Sequence, residues 1–249
     1  FVAAAGTAGF FLLLTVAWVV PAFIFGAVSI AAIVMWLWAS DQPPAAPTAN
    51  VGGGLVLPVV LHGRASHSWW AMVILLAVDA SIFASLAFAH LHVSMALDVC
   101  PPPGAALPPG GWGPALLFVA GSVAMGWAVR RLGTASRSAL MGAVAVALVC
   151  ASAAFAWDLA GHVHADLSPR ATAWGATIAA LLGWQGFHAL VLVLMGGYVL
   201  ARIANWRLRP DARATLDNTA LMWHYVTVQG LVAMGLVRWL PGWMVAWQG

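Results

Sequence analysis

Apolar residues in this chain come in long blocks, and the polar residues are gathered between them. Seven blocks stand out, at 4–19, 22–39, 68–92, 113–129, 138–160, 172–204 and 217–240. Roughly 20 apolar residues carry a helix through a hydrocarbon core about 30 Å thick. The pattern therefore predicts an all-α, polytopic membrane protein with seven transmembrane helices, two before a linker and five after it. Residues 1–40 read as a helical hairpin broken at Pro21, and 68–249 as a five-helix core. Between them, 41–67 reads as a cytoplasmic linker rich in Pro, Gly and Ala that carries Asn50-Val51-Gly52-Gly53-Gly54.

Composition agrees with burial in lipid. Hydrophobic residues make up 63% of the chain and charged residues 7%, whereas soluble domains carry about a quarter charged residues. All ten basic residues are Arg and all seven acids are Asp. The arginines are spread thinly and form no stripe for a phosphate backbone, so nucleic acid is not an expected partner. Their distribution sets an orientation. With seven crossings, one set of loops holds Arg64, Arg130, Arg131, Arg137, Arg202, Arg207, Arg209 and Arg213, and the other only Arg170 and Arg238. Arg-rich loops face the cytoplasm, which puts the N-terminus on that side and the loops 93–111 and 161–171 outside. Trp112, Trp174, Trp239, Trp243 and Trp247 then form an external aromatic belt. Cys100 and Cys150 make no metal clip or disulfide scaffold and read as buried or interfacial thiols. The chain opens on Phe1, inside an apolar run without a basic leader, and reads as a processed product or a piece of a longer polypeptide.

Small residues recur every fourth position at Ala139, Ala143, Ala147 and Ala151, and again at Gly175, Ala179 and Gly183. Such ridges let helices approach closely in lipid.

Candidate chemistry starts with Asp79. At 1.5 Å per residue it lies roughly 16 Å from the cytoplasmic end of its block, near the bilayer centre. A carboxyl there either locks helices together as a hydrogen-bonded acid or exchanges protons. Ser81, Ser85 and polar groups on neighbouring helices are its expected partners. His188 and His224 read as hydrogen-bonded structural or interfacial histidines, since no matching set of His residues at two depths suits a pair of haems. His162 and His164 with Asp158 and Asp166 have the residue types for a divalent ion without a diagnostic spacing, so no metal is assigned. Arg64, His67, Trp69 and Trp70, at the cytoplasmic end of the third helix, suit a phospholipid headgroup. No Gly-rich phosphate loop, nucleophile elbow or Ser/His/Asp set is visible, and no catalytic residue is assigned.

Several stretches then fall into a recognisable order. They are the helix from Trp70 through Asp79 to His92, 13 residues after the acid, and the loop Pro101-Pro102-Pro103-Gly104. Gly175-Ala176-Thr177, Gly183-Trp184-Gln185-Gly186-Phe187-His188 and Asn218-Thr219-Ala220-Leu221-Met222-Trp223-His224-Tyr225-Val226 follow. Over about residues 66–240 this resembles subunit III of the haem-copper oxidases. Asp79 stands where that family usually has Glu, and Gln185 replaces the first His of its Gly-Phe-His-Gly-Leu-His motif. Asp158 falls near the family's acid at the external end of the fifth helix. Residues 50–57 and His67-Ser68-Trp69-Trp70 are most similar to bacterial forms in which subunits I and III are fused.

The resemblance implies a non-redox domain of a proton-pumping cytochrome c oxidase in a bacterial inner membrane. Its partners would be subunit I, possibly fused upstream, subunit II and phospholipids. Haem and copper would sit in subunit I and copper in subunit II, with no cofactor on this chain. Lipids would be held in a cleft between the first two helices and the other five, with Arg64, His67, Trp69, Trp70 and His224 as lipid contacts. Asp79 would serve proton supply, and His92, His188 and Asp158 would be structural or interfacial. Subunit III of a quinol oxidase or of a nitric-oxide-reductase-type complex fits the same residues. A small proton-coupled transporter using Asp79 is a rival of another class. A seven-helix photoreceptor is opposed by the absence of Lys.

Overall fold

A computed structural model describes residues 1–40, 48–58, 66–105, 107, 111–165 and 168–243. The chain divides into two compact units, Phe1–Val60 and Leu61–Gly249.

The first unit pairs α1 (Val2–Thr15) with α2 (Val19–Ser40). Gly6, Gly9 and Gly26 allow the close approach. A Cβ at Gly9 would lie 2.2 Å from a Phe25 ring carbon. The break falls at 16–18, with Ala17 at φ 60, and not at Pro21. Pro21 sits inside the first turn of α2, where helical N–H groups have no partner and a missing one is harmless. The linker is more ordered than its composition suggests. Strands β1 (Thr48–Asn50) and β2 (Val56–Pro58) pair antiparallel, and Gly52, Gly53 and Gly54 take positive φ in the turn between them.

The second unit holds α3 (His67–Met95), α4 (Gly113–Arg131), α5 (Arg137–His164), α6 (Ala173–Ala204) and α7 (Ala214–Met234). A π-helical turn, Gly235–Trp239, extends α7. Hydroxyl side chains set three of the starts. Ser66, Ser136 and Thr172 each accept a hydrogen bond from the backbone N–H three residues on, which satisfies a donor that has no partner within the helix. Arg137 donates to the carbonyls of Ile203 and Ala204 and so caps the end of α6. Among the described residues, six helices have the length and apolarity to cross a membrane, and α1, at 14 residues, is shorter.

Helix α7 is the hub, packing on α3, α4 and α6, while α5 bridges α4 and α6. The core joins Val144, Leu192, Val199, Leu216, Trp223 and Val226. By contrast α3 lies at the edge, with almost its whole apolar span uncovered. The small-residue ridges are only partly used. On α5 the buried face runs through Leu140, Val144, Ala147, Ala151 and Ala154, with Ala139 outside it. On α6 Gly175 is tightly packed, but Gly183 faces open space. The tight crossing is elsewhere, at Gly121 of α4. A Cβ there would stand 3.2 Å from the Ala147 carbonyl oxygen and 3.3 Å from Trp223 Nε1. Backbone cannot yield to it, so Gly121→Val is expected to lower stability by about 1–3 kcal/mol. Gly197, with nothing near its Cβ position, is the control: Gly197→Ala should stay within about 0.5 kcal/mol. Thermal unfolding in detergent compares the two, and equal behaviour would remove Gly121 as the packing point.

Candidate functional site

Three helices deliver the site. Asp79 comes from α3, His188 from α6 and Tyr225 from α7. The Tyr225 hydroxyl donates to Asp79 Oδ2 at 2.5 Å, and His188 Nε2 lies 3.1 Å from the same oxygen. The His188 side chain is 1% exposed and that of Asp79 17%. Trp184, Phe187 and Tyr225 surround the imidazole, with ring centroids 5.2, 5.2 and 6.1 Å away.

Hydrogen-bond inventory fixes what this cluster holds. His188 Nδ1 stands 2.8 Å from the Trp184 carbonyl oxygen, and a carbonyl only accepts, so Nδ1 carries a proton. Nε2 and Asp79 Oδ2 both have lone pairs and would repel unless a proton lay between them. The pair therefore shares one proton, written either as imidazolium and carboxylate or as imidazole and carboxylic acid. Both forms have the same net charge, which suits an apolar surrounding where a lone charge is very costly. Tyr225 stabilises either form, because its O–H donates to an oxygen that accepts in both. Within the pair the proton can pass between Nε2 and Oδ2 with no change in net charge, whereas handing it to an outside acceptor leaves one negative charge until another proton arrives.

The expected serine partners are corrected. Ser81 donates to Val78 O at 2.6 Å and Ser85 to Ser81 O at 2.9 Å, each on its own helix. Back-bonding of this kind is the ordinary use of Ser inside a helix. Tyr225 was the residue that sequence reasoning left unassigned. It is one of only two tyrosines in the chain, and a phenol inside an apolar span is a signal for a buried acceptor.

The other predicted residues fall in separate places. Arg64 lies outside the described residues. Trp69 lines a groove with His224, whereas His67 and Trp70 are exposed beside it. His92 is exposed and stacks on Phe88, and its neighbour His90 is the buried one, 2.9 Å from Thr177 Oγ1 through Nδ1. Asp158 accepts from Arg238, a buried ion pair that ties α5 to the π-helical turn. Arg238 thus belongs to the helix end and not to an open external loop. His162 and His164 bond carbonyls of their own helix at 2.8 and 2.6 Å. Asp166 and Trp247 lie outside the described residues. Cys100, in the α3–α4 connection, is buried, which pushes its thiol up, and both cysteines are free.

No protein-family model matches the chain, and no curated protein matches it.

Two measurements test the site. In infrared spectra the Asp79 signal should vanish in Asp79→Asn, shift in Tyr225→Phe and stay in place in Ser81→Ala. A shift in Ser81→Ala alone would reverse the assignment of partners. For the second ion pair, Asp158→Leu removes the carboxylate facing the buried Arg238 guanidinium, which keeps its bond to the Gly111 carbonyl, and should lower stability by about 1–3 kcal/mol. The double variant with Arg238→Met should recover part of that loss in the same denaturation experiment.

Proposed function

We propose that this chain is the subunit III domain of a proton-pumping haem-copper terminal oxidase of the cytochrome c oxidising class. One observation carries the reading. Asp79 stands 109 positions before His188 and 146 before Tyr225, yet the three residues, from three of the motifs that bear the resemblance, meet on one oxygen atom. A chance likeness of motifs has no reason to converge in space.

In this reading the chain crosses a bacterial inner membrane seven times with its N-terminus cytoplasmic, as the eight-to-two division of arginines implies. It packs against subunit I and beside subunit II and holds phospholipids. Oxygen reduction belongs to the haems and copper of those partners. This chain contributes a proton store at the Asp79 cluster, which shortens the wait for the next proton during turnover and so protects the complex from inactivation. The quinol-oxidising and nitric-oxide-reductase-type versions differ in partner chemistry and leave the role of Asp79 the same.

The mid-span acid and imidazole would also serve a small proton-coupled transporter, and purification separates the two. An oxidase domain leaves the membrane with a haem-containing partner, whereas a transporter purifies alone and drives uptake. On the purified complex, Asp79→Asn is expected to preserve assembly and haem content, slow oxygen consumption modestly near neutral pH and hasten inactivation. Asp79→Leu should do worse, since it strands His188 and Tyr225 at a cost of about 1–3 kcal/mol. Identical rates and lifetimes for wild type and Asp79→Asn would reduce the cluster to a helix lock.

A further inference from the structure

A second polar layer lies between α3 and α6, three turns from the Asp79 cluster. His90 follows Asp79 by eleven residues on α3, and Thr177 precedes His188 by eleven on α6. Eleven residues close three helical turns to within about 20° and span roughly 16 Å, so both layers face one seam. His90 Nδ1 lies 2.9 Å from Thr177 Oγ1. The Thr177 hydroxyl gives its proton to the Trp174 carbonyl at 2.8 Å, so it accepts from Nδ1. The Leu236 backbone, in the π-helical turn, lies against the same imidazole, yet Nε2 makes no hydrogen bond with any described residue. The ring is fully buried.

Between the two layers, polar atoms are left open. Gln229, one turn past Tyr225 on α7, is 2% exposed, and neither end of its amide has a partner among the described residues. The Nε1 of Trp184, one turn from His188 toward Thr177, is buried in the same condition. So is that of Trp174, whose ring lies 6.2 Å from His90. About one turn the other way, the same three helices supply Leu76, Leu192 and Met222 to the apolar core. The open donors and acceptors are thus gathered on one side of the Asp79–His188 pair. Buried polar groups are almost always bonded, and where protein supplies no partner, ordered water does. Helix α3, one wall of the seam, is the least buried of this unit's long helices, so water is accommodated there more readily than in the core.

We propose that a single file of water fills this seam from the Asp79–His188 pair past Trp184 and Gln229 to His90, and that the pair exchanges its proton along it. Gln229 offers a donor and an acceptor, so one water can bond at each end of its amide. In each exchange the pair gives one proton to the adjoining water and takes one back, and no charge stays behind. His90, held by Thr177 through Nδ1, ends the file with Nε2 as an acceptor. The file builds on the shared proton of the pair and not on the oxidase reading, since any bundle that holds this proton needs a route to it.

Hydrogen–deuterium exchange followed by infrared spectroscopy on the full chain in detergent tests the route, with the Asp79 and His188 signals both read. Gln229→Leu, which replaces the amide with apolar atoms of similar volume, should leave both signals in place. It should slow their exchange about tenfold, the effect of losing one hydrogen-bonded relay. Gln229→Asn should keep most of the rate by keeping an amide, and Ser85→Ala, on the exposed face of α3, should match wild type. In nuclear magnetic resonance of the wild-type chain in lipid, the Trp184 indole and Gln229 amide N–H groups should receive magnetisation from water. The proposal fails if Gln229→Leu exchanges at the wild-type rate, or if those N–H groups receive nothing from water. Should Gln229→Leu not fold, the wild-type resonance measurement decides alone. Oxygen consumption is not involved, so failure here leaves both the oxidase reading and the shared proton standing.

Discussion

A carboxyl set among apolar helices has to find its partners on another helix, because its own backbone groups are already bonded to one another. That constraint organises the larger unit. Helix α3 is poorly covered by its neighbours, yet it is joined to α6 and α7 at Asp79 through His188 and Tyr225. Just past the C-terminal end of α7, Asp158 and Arg238 repeat the solution between α5 and the π-helical turn. A buried pair of this kind adds little net stability over apolar packing, and its value lies in specifying which helices meet and at what level.

Packing and chemistry divide the labour along α7. One stripe of this helix, with Trp223 and Val226, fills the core against α4, α5 and α6. Tyr225 and His224 project from other sides, the first to the proton-sharing cluster and the second to the groove on α4. Because α7 packs on α3, α4 and α6, a small shift of this helix would disturb the core, the cluster and the groove together. The glycine contacts at Gly121 and Gly196 hold Trp223 from two directions, at 3.3 and 3.1 Å from the positions their Cβ atoms would take. The rigid hub is what keeps Tyr225 within bonding distance of a residue on the exposed edge helix.

The proton-sharing cluster is also compatible with its surroundings in a way that a lone acid would not be. The shared proton keeps the sum of charges constant whichever atom holds it. The Trp184, Phe187 and Tyr225 rings pack around the His188 imidazole, whose side chain is 1% exposed. Exchange with a partner protein or a water chain then needs only transient access to the Asp79 side, which is the more exposed of the two partners.

Much of the fold was legible in the sequence, because membrane helices announce themselves by length and apolarity alone. The six long spans and Asp79 as the odd residue in its block follow from one-dimensional rules. The sequence left open which small residues form contacts. Ala139 and Gly183 continue regular ridges yet face outward, while the isolated Gly121 carries the tight crossing. Of the partners expected for Asp79, the polar groups on neighbouring helices bond it, whereas Ser81 and Ser85 are near in sequence but spend their hydroxyls on their own helix. Tyr225 and His188 lie 146 and 109 positions from Asp79, and no local rule links them. Helix identity is set by each segment's own transfer into lipid, whereas rotation and depth are set by neighbours. Only the assembled bundle could decide that these three polar side chains meet.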